Sequence, residues 1–332
     1  MRSLLCVSGA AALVLFTAAA PAGAEETGPD QDFTLQDTRI TESSGLAASR
    51  AHPGVYWTHN DQDQPRVFAV DSRTGKTVAT ITLSGVGTPR DMEAISVGPD
   101  GNVYVGDIGD NLDGSWDHVW IYRFPEPKTL KDQTVRATQY DVKYADGPRN
   151  AEALMVHPKT GRVYIASKKE DGGGLYEGPA KLSTKGTNTF RRIAEVPWVT
   201  DGAFSPDGKE LLLRGYLMAR AYEWKDGRPG EDRSVGAPFQ GQAESASYTL
   251  DGSAAMFGSE GTGSKVLRVD LGDRPDGSGG PKSPATSAPP KGGGADAGGQ
   301  DGEKGNFGLG VVVLAVATAA VVGFKRLLRR GD

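Results

Sequence analysis

Asp91-Met-Glu-Ala-Ile-Ser-Val-Gly-Pro-Asp-Gly-Asn-Val-Tyr-Val105 reads as two short strands joined by a tight turn, with two carboxylates at its entrance. Pro99 presets φ for the turn and Gly101 supplies the positive φ that closes it. The unit recurs. Glu42-Ser-Ser-Gly-Leu-Ala47 precedes His52-Pro-Gly-Val-Tyr-Trp57, and Ala151-Glu-Ala-Leu-Met155 precedes Pro158-Lys-Thr-Gly-Arg-Val-Tyr-Ile165. Two weaker copies follow, Thr200-Asp-Gly-Ala-Phe204 with Pro206 to Leu213, and Ala243-Glu-Ser-Ala-Ser-Tyr248 with Leu250 to Phe257.

The turn glycines Gly54, Gly101, Gly161, Gly208 and Gly252 are 47, 60, 47 and 44 residues apart. Periods of this size, built from short strands and turn chemistry, belong to propeller blades. A third strand follows each unit, as in Val67 to Asp71, Val119 to Arg123 and Val266 to Asp270. A more polar fourth fits the first four units, for example Thr77 to Leu83 and Thr134 to Lys143. The last unit ends near Leu271 without a fourth strand, while Phe33 to Ile40 stands alone before the first. The expectation is an all-β, single β-propeller over 25–272, with Phe33 to Ile40 completing the last blade and closing the ring. Five blades fit the copies, and six stays open because of the long second interval.

The ends of the chain read differently. Residues 1–24 have the pattern of a secretory signal peptide: Arg2, the uncharged Leu4 to Ala20, then Ala22-Gly-Ala24 before Glu25. Cys6 would leave with it, so the mature chain would hold no thiol. Residues 273–305 are dominated by Gly, Pro, Ser, Ala and Asp, the composition of a disordered linker. Phe307 to Phe324 carries no charge and fits within a transmembrane helix over 306–325. Lys325, Arg326, Arg329 and Arg330 follow, making 326–332 a basic cytoplasmic tail and leaving the propeller outside the cell membrane as a single-pass ectodomain.

Charge excludes one class of partner. The full chain carries −5. Setting aside Arg2, the basic tail and the near-neutral linker leaves the repeat region more acidic than the whole. Nucleic acid is therefore not an expected ligand.

Aligning the units by their turns places Ser44, Glu93, Glu152, Asp201 and Glu244 in one column. Glu42, Asp91, Asn150, Val199 and Gln242 stand two residues earlier, on the same face of a strand. If these are the innermost strands, the carboxylates converge on the axis, where they repel unless neutralised. Glu42, Asp91, Glu93, Glu152, Asp201 and Glu244 are thus candidate metal ligands, and Ca²⁺ suits an all-oxygen site of tolerant geometry. Asp61, Asp107, Asp110 and Asn111 could add oxygens. Lys168, Lys169 and Arg214 could neutralise the ring instead, or the acids could accept backbone amides of neighbouring blades. Other chemistry is sparse: no zinc-ligand spacing, nucleophile elbow, phosphate loop or dinucleotide fingerprint occurs. His52 and His157 precede prolines in turns and read as solvated loop residues. The tryptophans read as blade core, with Trp116 the most exposed.

Glu42-Ser-Ser-Gly-Leu-Ala47, Val55-Tyr-Trp-Thr-His-Asn-Asp61, Asp91-Met-Glu-Ala-Ile-Ser96 and Tyr104-Val-Gly-Asp-Ile-Gly-Asp-Asn111 resemble uncharacterised secreted bacterial β-propeller proteins. They are more distantly similar to the SdiA-regulated and phytase-like propeller families. The resemblance covers residues 40–170 best and implies a propeller and, through some relatives, a calcium site. Calcium-dependent apyrase is also similar, being a five-bladed propeller with an acidic channel. Only Lys168, Lys169 or Arg214 could match the phosphate-binding basic residues it implies. Two functions follow as expectations: a surface binding or interaction module for an extracellular protein, glycan or small molecule, or a calcium-dependent hydrolase of a phosphoester, lactone or glycan. The short tail after Phe324 argues against a transmembrane sensor.

Overall fold

The computed structural model describes residues 30–62, 64–112 and 114–272. The expected signal peptide, linker, transmembrane helix and basic tail lie outside these residues. Among the described residues, no helix is long and apolar enough to cross a membrane.

Every described element is a strand. A short strand β1 (Phe33–Thr34) comes first. Next, β2 (Ala47–Ala48), β3 (Val55–Thr58), β4 (Arg66–Asp71) and β5 (Thr77–Ser84) form an antiparallel meander. β6 (Met92–Val97), β7 (Asn102–Asp107) and β8 (Val119–Pro125) start the second array. β9 (Gln133–Arg136) leaves it to pair in parallel with β5, and β10 (Thr138–Tyr144) returns to β8. β11 (Ala151–Val156), β12 (Val163–Ser167), β13 (Gly173–Glu177) and β14 (Asn188–Val196) make the third array. It joins the second through the parallel pair β10–β14, giving one eight-stranded sheet. β15 (Asp201–Phe204), β16 (Glu210–Arg214), β17 (Ala219–Lys225) and β18 (Arg228–Val235) form the fourth. β19 (Ser245–Tyr248), β20 (Ala254–Gly258) and β21 (Lys265–Asp270) form the last, with β1 antiparallel to β21.

The first strands touch in a closed circuit: β2 to β6, β6 to β11, β11 to β15, β15 to β19 and β19 back to β2. That circuit makes the domain a β-propeller. Sequence explains which strands lie inside. β3, β12, β19 and β20 are largely apolar or small-residue runs, as is β11 apart from Glu152, and all are buried throughout, whereas β10 and β18 alternate and carry exposed charges. An inner strand has neighbouring sheets on both faces, and an outermost one meets solvent. All five turn glycines have positive φ, between 67° and 80°.

Two expectations are corrected. Thr134 to Lys143 is not one strand, because Ala137 donates its N–H to the Ser84 carbonyl and divides it between two sheets. The long second interval is filled by β9 and by the loop leaving β7. The closing segment is also shorter than Phe33 to Ile40: only Phe33 and Thr34 pair, with Val266 and Lys265. Leu35 donates its N–H to the Ser264 carbonyl, and the chain turns at Asp37. Packing completes the closure. Phe33, Leu35 and Ile40 share a core with Tyr56 and Phe68 of the first sheet and Met256 and Val266 of the last. Gly75 (φ +68°) lets this segment approach, since a Cβ there would lie 1.8 Å from the Thr34 carbonyl oxygen.

Leu35→Ala should therefore cost about 2–5 kcal/mol, the usual range for emptying a leucine site in a closed core. Urea denaturation measures it. A loss below about 1 kcal/mol would mean that Leu35 does not hold the first and last sheets together.

Candidate functional site

The carboxylates sit where first strands begin and second strands end. Several main-chain bonds build this mouth by repetition: Asp61, Gly109, Lys168 and Glu260 donate their N–H groups to the carbonyls of Glu42, Asp91, Asn150 and Gln242. Side chains fix the approach. Asn60 accepts the N–H groups of Thr41 and Glu42 and donates to the Arg39 carbonyl. Buried Asp107 accepts the N–H groups of Arg90 and Asp91 and the Tyr122 hydroxyl. Gly109 has no alternative residue here: a Cβ would stand 2.6 Å from an Asp91 oxygen and 2.8 Å from Glu93 Cγ.

The six residues expected as a metal ring divide into three environments. Asp91 and Glu93 are buried and join Asp61, with one carboxylate oxygen from each lying within 4.8 Å of the others. Glu42 and Glu260 join the same Asp61 in a second, half-buried group. Ser44 donates to Glu93 Oε2 at 3.0 Å and Asn111 to Asp91 Oδ2 at 2.8 Å. Glu152 and Glu244 lie on the other side. Lys168 Nζ is 3.1 Å from Glu152 Oε1, and the Tyr216 hydroxyl donates to Glu244 Oε1 at 2.9 Å. Lys168 also lies over the Tyr216 ring. Asp201 stands apart: it accepts the N–H groups of Gly202 and Ala246, both at 2.7 Å, and so staples β15 to β19.

Electrostatics follow this division. Burial, then repulsion from Glu152 and Asp91, holds the Glu93 carboxyl well above its ordinary range, with Lys168 opposing. Burial raises Glu152 to about 7, Lys168 working against it and Glu244 with it. Burial works to lower Lys168, but Glu152 and Glu244 hold it well above its ordinary value. Burial also raises Asp201, with the N–H groups of Ala246 and Gly202 and the Arg214 charge opposing. Lys168 is thus favoured in its charged form, while burial and mutual repulsion disfavour ionisation of Glu93 and Glu152.

Other residues have different work. Asp107 supports Asp91, and Asp110 caps its own loop by accepting the N–H groups of Leu112 and Trp116. Arg214 makes no ion pair with the acids among the described residues: it donates to the Ser245 and Gly258 carbonyls and to Gln240, and burial lowers it to about 10 against the opposing charges of Asp201 and Glu244. Lys169 faces Asp171 on the surface. His157 is not solvated. It packs against Phe204 with ring centroids 4.9 Å apart and accepts the N–H groups of Lys159 and Thr160. Trp116 is half-buried, with the Arg90 guanidinium 4.2 Å from its ring centre. The acidic columns of the repeat do not include Glu260 or Tyr216. Glu260 was findable, because aligning the residues that follow each second strand places it with Asp61 and Lys168.

An all-oxygen group this tight fits a hard cation, since oxygens on one Ca²⁺ at about 2.4 Å are separated by at most about 5 Å. Without a cation, the native Glu93 carboxyl holds its proton to higher pH than it does in the unfolded chain. The stability tied to that proton is present at low pH and falls as pH rises towards the raised native value. Glu93→Gln removes the dependence. The melting temperature of the variant minus that of the wild type, without metal, should widen from about pH 5 to about pH 8. An equal difference at both would contradict a protonated Glu93.

No family model and no curated protein matches the sequence. Among solved structures the chain is similar to XC5397 from Xanthomonas campestris, a gluconolactonase, with 17% identity and a TM-score of 0.44 over 72% of this chain and 78% of that one. It is also similar to a chain of a nidogen/laminin complex, with 15% identity and a TM-score of 0.43 over 70% and 77%. At this distance neither likeness bears on the site, and the propeller rests on the circuit of first strands.

Proposed function

We propose that the chain is a binding module displayed outside the cell membrane, a five-bladed propeller whose mouth holds Ca²⁺ and presents a ligand-binding rim. The observation that carries this reading is the convergence of Asp61, Asp91 and Glu93 on one point, next to the second group that Asp61 shares with Glu42 and Glu260. Bound Ca²⁺ would replace the proton on Glu93 and relieve the repulsion around it. The rim supports a binding role. Leu112, Leu217 and Phe239 are 62%, 61% and 72% exposed. The first two lie on loops leaving second strands and the third on the connection into β19, all at the end where first strands begin. Apolar side chains left in water around a polar centre are the usual mark of an interaction surface. The sequence of 1–24 and 306–332 supports export and a C-terminal anchor.

Glu152 favours a second reading, a calcium-dependent hydrolase. A carboxyl raised to about 7 beside Lys168 is suited to accept a proton near neutrality. Glu152→Gln would then abolish turnover on a phosphoester, lactone or glycan panel while leaving Ca²⁺ binding intact.

Calorimetric titration with Ca²⁺ should show saturable binding, and Asp91→Asn and Glu93→Gln should each abolish it. At a hundredfold excess over Kd, Ca²⁺ should add about 2.7 kcal/mol of stability. Identical melting curves in Ca²⁺ and in chelator would refute the site. Protease added to intact cells should remove the propeller, and its protection would refute display outside the membrane.

A further inference from the structure

A second site lies on the outer edge where the second and third arrays join. The parallel pair β10–β14 places Lys143 opposite Thr189. On one side of this seam is a cavity of about 600 Å³ bordered by Trp116, His118, Lys143, Pro148, Thr189 and Arg191. On the other is one of about 450 Å³ that shares Thr189 and Arg191 and adds Lys181. Together they form an open groove of the size that takes a small oligomeric ligand.

Its charge runs against the rest of the domain. Lys143, Lys181 and Arg191 are exposed, and none makes a side-chain hydrogen bond or ion pair among the described residues. The other charged residues at the groove are already engaged: Asp117 with His118 at 2.6 Å, and Arg162 with Glu177 at 2.6 Å. Three unengaged cations therefore face the groove. At one end is Trp116: its main-chain N–H donates to Asp110 at 2.7 Å, and the Arg90 guanidinium lies 4.2 Å from its ring centre and 3.8 Å from that of Trp120. Tyr144 also borders the cavity, its ring edge-to-face with Tyr176 at 4.9 Å.

We infer that this groove binds an acidic glycan, a chain of sugars carrying carboxylate or sulfate groups, with Trp116 as platform for a sugar face and Lys143, Lys181 and Arg191 as counter-charges. Flat aromatic surface beside spaced cations fits a ligand that is apolar on ring faces and anionic at intervals. Thr189, at the seam, is placed to hydrogen-bond ring hydroxyls. The loops meeting here come from two arrays, so the parallel pairing of β10 with β14 creates the site as well as joining the sheets. The groove's cations belong to β10, β14 and the loop before β14 rather than to the cation group, and its occupancy does not require Ca²⁺.

The test uses the full chain in detergent, titrated calorimetrically with an oligogalacturonate and with a neutral malto-oligosaccharide of equal length. The acidic sugar should bind, more weakly at higher salt, and the neutral one should not. Lys143→Ala combined with Arg191→Ala should weaken binding by about tenfold or more, and Trp116→Phe should retain more affinity than Trp116→Ala. Lys76→Ala, which removes an exposed cation from another sheet, should bind as wild type. Binding that survives the double substitution, binding equal in Trp116→Ala and wild type, or no binding of either the oligogalacturonate or a sulfated oligosaccharide would overturn the inference. Because chelator should not change this affinity, failure here and failure of the calcium site are read separately.

Discussion

Burial of like charge at the hub is the constraint around which the rest of the domain is arranged. First strands converge at the axis of a propeller, so whatever stands at their start is brought together. Here carboxylates stand there on most of them. The domain neutralises them by three means. Asp201 is absorbed by main-chain N–H groups and becomes a staple between neighbouring strands. Glu152 and Glu244 share Lys168 and Tyr216. Glu93 lies beside Asp91 and Asp61 and makes no ion pair among the described residues, so a proton or an added metal ion would relieve it. A ring of equal residues has thus become polarised, with a carboxylate-rich side and a lysine-balanced side.

That arrangement holds only if the circuit is closed. β2 and β19 are the first strands of the arrays at the two ends of the described chain, and their contact depends on a two-residue strand together with a buried Phe-Leu-Ile set. The side chains give this short ladder its strength, since two residues of pairing alone would be marginal. The inner strands gain their stability differently, from being buried on both faces.

Much of this was legible in the sequence because turn chemistry is local. Pro-Asp-Gly at 99–101 and 206–208 needs no partner to declare a hairpin, and the spacing of the five turn glycines carried the propeller. The start and type of the closing segment were legible too, from an orphan strand at one end and a missing strand at the other. The fate of individual acids was not. Glu93 and Asp201 occupy equivalent columns, yet one meets other carboxylates and the other meets the N–H of Ala246. That difference depends on the stagger between adjacent sheets, which no single unit encodes. His157 misled for a similar reason: a histidine before a proline in a turn says nothing of Phe204, forty-seven residues later, whose ring covers it. The division of 133–144 between two sheets likewise arises from the neighbouring β5 rather than from any local break.

The central claim is that the Asp61, Asp91 and Glu93 group is neutralised by a proton when no cation is present and by a cation when one is. Difference infrared spectroscopy at neutral pH reads the two states directly. The account predicts a protonated carboxyl band in chelator that disappears on adding Ca²⁺ and is absent from Glu93→Gln. No such band in the wild type, or a band indifferent to Ca²⁺, would contradict it.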